Sequence, residues 1–255
     1  MKSFTADVQL HSCLSPCGSL ESSPGRIVQA ARACGLDIIA LTDHNTAANC
    51  PALATVVKRV GGLVAFYGVE VTTVEEIHVI CLFGDVATAV SFGEFVRTYL
   101  PRLQNDPERF GDQPVVDAEE QIIYLDDAFL AGATSLSLDR VVGEAHARSG
   151  VVIASHIDRP INSLFSQLGV WPLGVQLDAC DLSPRAKASA WRGQVPPGIP
   201  FIRSSDAHFL AEIGRQFTTL VLREPTFEEF CRALHGEDGR AVLCTEAAQP
   251  VAATM

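Results

Sequence analysis

Short apolar or β-branched runs recur along the chain at 7–11, 36–42, 63–72, 78–83, 151–155, 175–178, 201–205, 218–222 and 241–244, and many are separated by helical periodicity. The first helix marks both of its ends. Ser23 is placed to cap it, Pro24 to open it, Ile27, Val28, Ala31 and Cys34 to form its apolar face, and Gly35 to stop it. Further helices are expected near 51–60, 91–103, 137–148 and 226–234. Alternation of this kind argues for a mainly parallel sheet covered by helices and closed or nearly closed, in preference to an all-β sandwich. The expected fold is an α/β barrel.

Only 101–134 departs from the rhythm. Asp106-Pro107, Gly111 and the acids Asp117, Glu119, Glu120, Asp126 and Asp127 interrupt any period, so the stretch reads as a solvated excursion over one rim. Residues 1–245 are expected to form a single barrel domain, with 246–255 as a tail.

Composition narrows the function classes. With 47% apolar and 19% charged residues and no compositional break, the 255 residues can bury one large core. A net charge of −11 offers no broad attraction to nucleic acid or to an anionic membrane, so wrapping of duplex nucleic acid is not expected. Any phosphate ligand must be drawn by metal ions or a few arginines. No signal peptide or membrane span is evident, which points to the cytoplasm. Of eight cysteines, Cys34, Cys81, Cys180, Cys231 and Cys244 are expected to be buried thiols, while Cys13 and Cys17 flank a turn without zinc-knuckle spacing.

Unusual polar residues collect where the expected strands run out. Asp7 and His11 bound the first, Asp43-His44-Asn45 ends the second, Glu70 lies late in the third, and Ser155-His156 and Asp206-Ala207-His208 close two later ones. In a barrel the carboxyl ends of parallel strands share one rim, so residues nearly two hundred positions apart can converge. His78 opens its run, but an antiparallel hairpin between 63–70 and 78–83 would return it to the same rim. Five of seven histidines (His11, His44, His78, His156 and His208) hold such places, whereas His146 and His235 fall in amphipathic helices. Imidazoles mixed with carboxylates suit zinc, manganese or iron, and a carboxylate such as Glu70 can bridge two ions.

The ordered set resembles the PHP (polymerase and histidinol phosphatase) family. The resemblance is carried by Asp7-Val8-Gln9-Leu10-His11, Thr42-Asp43-His44, Gly68-Val69-Glu70, Ser155-His156 and Ser205-Asp206-Ala207-His208, and runs over nearly the whole chain. It implies a distorted (β/α)7 TIM-like barrel and two or three divalent metal ions. By that resemblance His11, Glu70 and Asp206 would hold a first ion, with Gln9 in the place of the family's first histidine. Glu70, His78 and His156 would hold a second. His44 and His208 would hold a third, with Cys17 standing in the turn where the family supplies histidine or aspartate. Asp7 and Asp43 are expected to stand behind His11 and His44 and orient them.

The function expected is hydrolysis of a phosphate ester of a small metabolite or nucleotide by metal-activated hydroxide. Arg159, Arg185 and Arg203 are candidates to hold the phosphate, and Asp206 or His208 to protonate the leaving oxygen. The alternatives are an exonuclease acting on the 5′ ends of short oligonucleotides, or a non-catalytic metal-binding regulatory barrel, for which Gln9 is the main support. An amidohydrolase is disfavoured because neither a bridging lysine nor a paired histidine opening is present. The oligomeric state is not legible.

Overall fold

The computed structural model describes residues 1–244; the tail expected at 246–255 lies outside the described residues. The chain opens with β1 (Lys2–Leu10), α1 (Pro24–Ala33), β2 (Ile38–Leu41), α2 (Cys50–Val60), β3 (Val64–Thr72), β4 (His78–Phe83) and α3 (Val86–Arg97). It continues through α4 (Pro107–Phe110), β5 (Pro114–Val116), β6 (Ile122–Leu125), α5 (Leu138–His146), β7 (Val151–Ala154) and α6 (Leu164–Leu168). The last elements are β8 (Ala179–Asp181), α7 (Ala188–Trp191), β9 (Phe201–Ile202), β10 (Thr218–Leu222), α8 (Phe227–Leu234) and β11 (Ala241–Leu243).

Nine strands form one sheet in the order β11-β10-β1-β2-β3-β4-β7-β8-β9. The run from β1 to β9 is a seven-stranded barrel wall, nearly closed where Leu10 bridges Ala207 and the His11 N–H donates to the Ala207 carbonyl at 3.0 Å. β10 and β11 extend the sheet beyond β1 by antiparallel pairing. The fold is thus the expected distorted barrel, with β4 running against both of its neighbours.

The alternation of side chains along each strand sorts two cores. Phe66, Ile80, Leu82 and Ile153 fill the barrel interior, where Phe227 and Phe230 of α8 meet Phe66 at ring distances of 5.2 and 5.4 Å. Ile39, Val69, Cys81 and Val152 face outward onto α1, α2, α3 and α5. The same parity that puts Phe66, Ile80 and Ile153 inside carries Glu70, His78 and Ser155 to the inner side at one mouth. Emptying the centre by Phe66→Ala would cost about 3–5 kcal/mol.

Local signals act as read for α1: Ser23 accepts from the Arg26 N–H and Pro24 opens the helix. Elsewhere the structure corrects the reading. The helix expected at 91–103 begins earlier, at Val86, because the Asp85 side chain caps it through the Thr88 N–H. The strand expected at 175–178 lies instead at Ala179–Asp181, where pairing to β7 and β9 overrides local composition. The excursion is more ordered than expected, since β5 and β6 form a hairpin inside it. Cys34 is exposed, and Cys231 and Cys244 are half-buried, whereas Cys81 and Cys180 are buried as expected.

Candidate metal centre

One carboxylate gathers the expected histidines. Glu70 is 1% exposed, and its oxygens lie 3.2 Å from His11 Nε2, 3.4 Å from His44 Nδ1, 3.3 Å from His78 Nδ1 and 3.6 Å from His156 Nε2. Asp206 adds a second carboxylate, 3.1 Å from His11 Nε2 and 3.9 Å from His208 Nδ1. Three sets of side chains could each surround a cation: His11 with Glu70 and Asp206, His44 with Glu70 and His78, and His11 with Cys17, His44 and His208. His156 joins through Glu70 and not through a set of its own among the described residues.

Local backbone geometry places these groups. A Cβ on Gly68 would lie 2.2 Å from the Cys81 carbonyl, so only glycine allows β3 and β4 to approach as they do two residues before Glu70. The pairing of Thr72 with His78 brings the hairpin back to the rim. Asn45, His156 and Asp206 have positive φ (55°, 29° and 52°), a conformation that costs about 1–3 kcal/mol at a non-glycine position and is found where surroundings impose it. Asn45 supplies its own restraints, donating to the Leu130 and Gly132 carbonyls and accepting from the Thr72 N–H.

Ser15 is a residue the sequence reading missed. Its hydroxyl donates to Asp43 at 2.8 Å and accepts from the His44 N–H at 3.2 Å, and it lies 3.0 Å from His11 Nδ1. With the hydroxyl proton committed to Asp43, His11 must donate from Nδ1, so Nε2 is the nitrogen that faces Glu70 and Asp206. Asp43 therefore steadies the His11 ring through Ser15, and reaches His44 through that hydroxyl at the backbone N–H instead of the ring. It also accepts from the Ser12 N–H and hydroxyl. Asp7 differs from expectation too: it accepts from the N–H groups of Ser205 and Gly214 and so fixes the loop that carries Asp206 instead of touching His11. Burial raises its carboxyl to about 6 despite those bonds.

Gln9 lies where expected, but its amide NH2 donates to Glu70 Oε1 and lies 2.9 Å from Ser155 Oγ, while its buried carbonyl oxygen has no partner. In this orientation Gln9 is a donor to the shared carboxylate and not a ligand. Cys17 has its sulfur among His11, His44 and His208; crowding by protein atoms pushes its thiol up to about 11, even though the residue is exposed by area.

Arg159 reaches Asp206 at 2.6 Å from the rim. Arg203 does not reach the site. It is 1% exposed, and its guanidinium donates to the Ser183 and Ala186 carbonyls. Arg185 is exposed in the loop after β8. Asp181, unassigned by sequence reasoning, ends β8 buried with one carboxylate oxygen lacking a partner. His146, expected to be an ordinary helix residue, pairs with Asp178 at 2.8 Å.

The donor set fits divalent cations. Burial lowers His44 to about 3 and also lowers His208, so both rings are neutral, the form that ligates metal. His11 is the exception: burial opposes its charge, but bonds to Asp206 and Glu70 raise it well above the ordinary value. Its proton sits between two carboxylates, where a cation would satisfy the same charge. His156 is buried with its Nε2 toward Glu70, and its Nδ1 has no hydrogen-bond partner among the described residues. Glu70 is penalised by burial, yet the surrounding imidazoles hold its carboxyl well below the usual range.

Residues 197–237, which include Asp206 and His208, match the PHP-associated family model. Over 132 residues the chain is 30% identical to the uncharacterized protein YqxK of Bacillus subtilis (strain 168), covering 46% of this chain and 31% of that one. The chain thus spans about a third of that curated relative. By structure it is similar to the lesion-specific endonuclease PfuEndoQ from Pyrococcus furiosus, with a TM-score of 0.69 and 18% identity over 94% of this chain and 58% of that one. An endonuclease Q complex with a 27-mer duplex carrying an abasic lesion gives a TM-score of 0.68, again at 18% identity over 94% of this chain and 58% of that one. A protein from Bifidobacterium adolescentis assigned as a metal-dependent phosphoesterase gives 0.52 at 18% identity, over 80% and 87% of the two chains. The matched segment is thus similar to a PHP-associated region, and the barrel has the fold of these solved structures.

Proposed function

We propose that the chain is a metal-dependent phosphoesterase that hydrolyses a phosphate ester of a small metabolite or nucleotide. One observation carries the reading: four imidazoles and a second carboxylate converge on buried Glu70 at the mouth of the barrel. Zinc, manganese or iron bound there would supply Lewis-acid charge and lower the pKa of a water.

The chain's own residues account for the rest. Glu70 is the shared ligand, with His11, Asp206, His44, His78 and His156 around it, and Cys17 stands with His208 beside His11 and His44. Arg159 is the phosphate-holding group: its guanidinium is partly exposed and oriented by Asp206. His208 Nδ1 lies 2.7 Å from the Asp206 carbonyl and donates to it, leaving Nε2 as a lone pair for a cation instead of a proton for the leaving oxygen. Asp206 opposes its burial through His11 and Arg159 and stays at about 2, ionised and suited to ligation. The leaving oxygen then takes its proton from water.

A nuclease reading has its own support, because the endonuclease Q complex shares this fold and holds duplex DNA with a lesion. The net charge of −11 favours the small substrate. A panel of phosphomonoesters, 5′-phosphorylated oligonucleotides and an abasic duplex, assayed with each metal, separates the readings. Inorganic phosphate released from monoesters and lost in His156→Ala supports the proposal. Mononucleotides or nicked duplex support the nuclease, and bound metal with identical near-zero turnover in both proteins supports a binding role.

A further inference from the structure

The hairpin inside the excursion has one closed edge and one open edge. On β5 the Val116 N–H donates to Asn49 Oδ1 at 2.9 Å, and the Pro114 carbonyl accepts from Asn49 Nδ2, so that edge is sealed against the barrel. β6 pairs with β5 alone, and its outer edge has no backbone partner among the described residues. That open edge reads Ile122-Ile123-Tyr124-Leu125, with the four side chains 48–63% exposed. Proteins usually blunt an open edge with lysine, proline or a charge directed inward, and none is present here.

Both faces of β6 border cavities. One of about 340 Å³ is walled by Leu20, Val116, Ile122 and Leu125, and another of about 310 Å³ includes Val115 and Tyr124. Acids surround them. Residues 101–134 carry eight carboxylates against two arginines, and Asp112 and Glu120 line the first cavity. Arg26 also lines the first cavity but is paired with Glu21 at 3.6 Å, so even with Arg97 on Asp126 and Arg59 on Glu119 the surround is acidic. Two such edges would repel each other, and so would nucleic acid.

We propose that β6 is a docking strand for an extended polypeptide segment that alternates basic and apolar residues. Main-chain bonds to the open edge would give affinity, and alternate side chains would enter the cavities. Charge complementarity selects a basic partner over a second copy of this chain. Asn49 also bonds Ser12, and Glu120 bonds Ser23, so the occupant would sit against the turn that carries Cys17. The inference stands apart from the phosphoesterase reading.

The test uses the full chain and a labelled ten-residue peptide alternating lysine and valine, followed by fluorescence anisotropy. The expected result is binding at least tenfold tighter than to a glutamate–valine peptide. Binding should be lost when alternate peptide nitrogens are methylated, and weakened at least tenfold by Ile122→Ser with Leu125→Ser. Leu173→Lys, at a leucine 97% exposed elsewhere, should leave binding unchanged. Equal binding of both peptides, tolerance of methylation, or indifference to the serine pair overturns the proposal. So does concentration-dependent dimerisation abolished by the serine pair, which would make a second copy the occupant. Circular dichroism of the serine variant separates lost docking from lost folding, and Tyr124→Ser repeats the test should that variant unfold.

Discussion

Replacing Glu70 by glutamine keeps the shape of the side chain and an acceptor for the Ser155 hydroxyl while removing the charge shared by four imidazoles. Removing one member of a buried charge set costs about 3–5 kcal/mol, which raises the dissociation constant for metal by about two to three and a half orders of magnitude. At metal one hundred times the wild-type Kd, binding stabilises the wild type by about 2.7 kcal/mol, whereas a hundredfold weaker variant gains about 0.4 kcal/mol. For a domain of this size the difference corresponds to about 5–9 °C in melting temperature. The assay is calorimetry of chelator-stripped wild type and Glu70→Gln, each titrated with manganese or zinc and referred to its own metal-free melting point. A variant that gains as many degrees as the wild type at equal metal refutes Glu70 as the shared ligand.

Other perturbations separate site from scaffold. Arg159→Met should raise KM for a phosphomonoester at least tenfold while bound metal per chain, read by elemental analysis, stays constant. Arg203→Met should instead act on stability: it strands the half-buried Ser183 and buried Ala186 carbonyls, costing about 2–5 kcal/mol in denaturant unfolding, with metal content unchanged in the folded fraction. Arg240 bonds hold the Glu229 carboxyl at about 2, against 4.5 when free. The sign of that shift makes the pair's contribution complete above about pH 4.5 and lost as pH falls toward 2. Glu229→Gln should therefore lower stability at pH 7 and flatten its acid limb; an unchanged limb in pH-dependent unfolding would contradict the pairing.

The clustering of these side chains was legible because coordination chemistry restricts residue type, and five histidines with Glu70 and Asp206 were expected at strand ends that share one rim. His78 shows how far topology can be argued: the hairpin needed to return it to the rim is the one that Thr72 and His78 form. What stayed hidden was bonding among groups with no chemical signature. Ser15 looks like any turn serine until its hydroxyl is found between Asp43, His44 and His11. Asp7 and Asp43 were expected behind the nearest histidines along the chain, but strand bulging and the loop from 205 to 214 gave them other partners. Arg203 follows a strand end and so resembled a phosphate ligand, yet its side chain turns into the wall. The hairpin in the excursion was missed because its acids conceal two short strands.

Anomalous diffraction from crystals of protein purified without chelator would locate any ions held at Glu70. Two or three divalent ions are expected, one between His11, Glu70 and Asp206 and another on Glu70 with His78, at ligand distances of about 2.0–2.3 Å. Metal-replete crystals with no anomalous peak within reach of Glu70 would contradict that expectation.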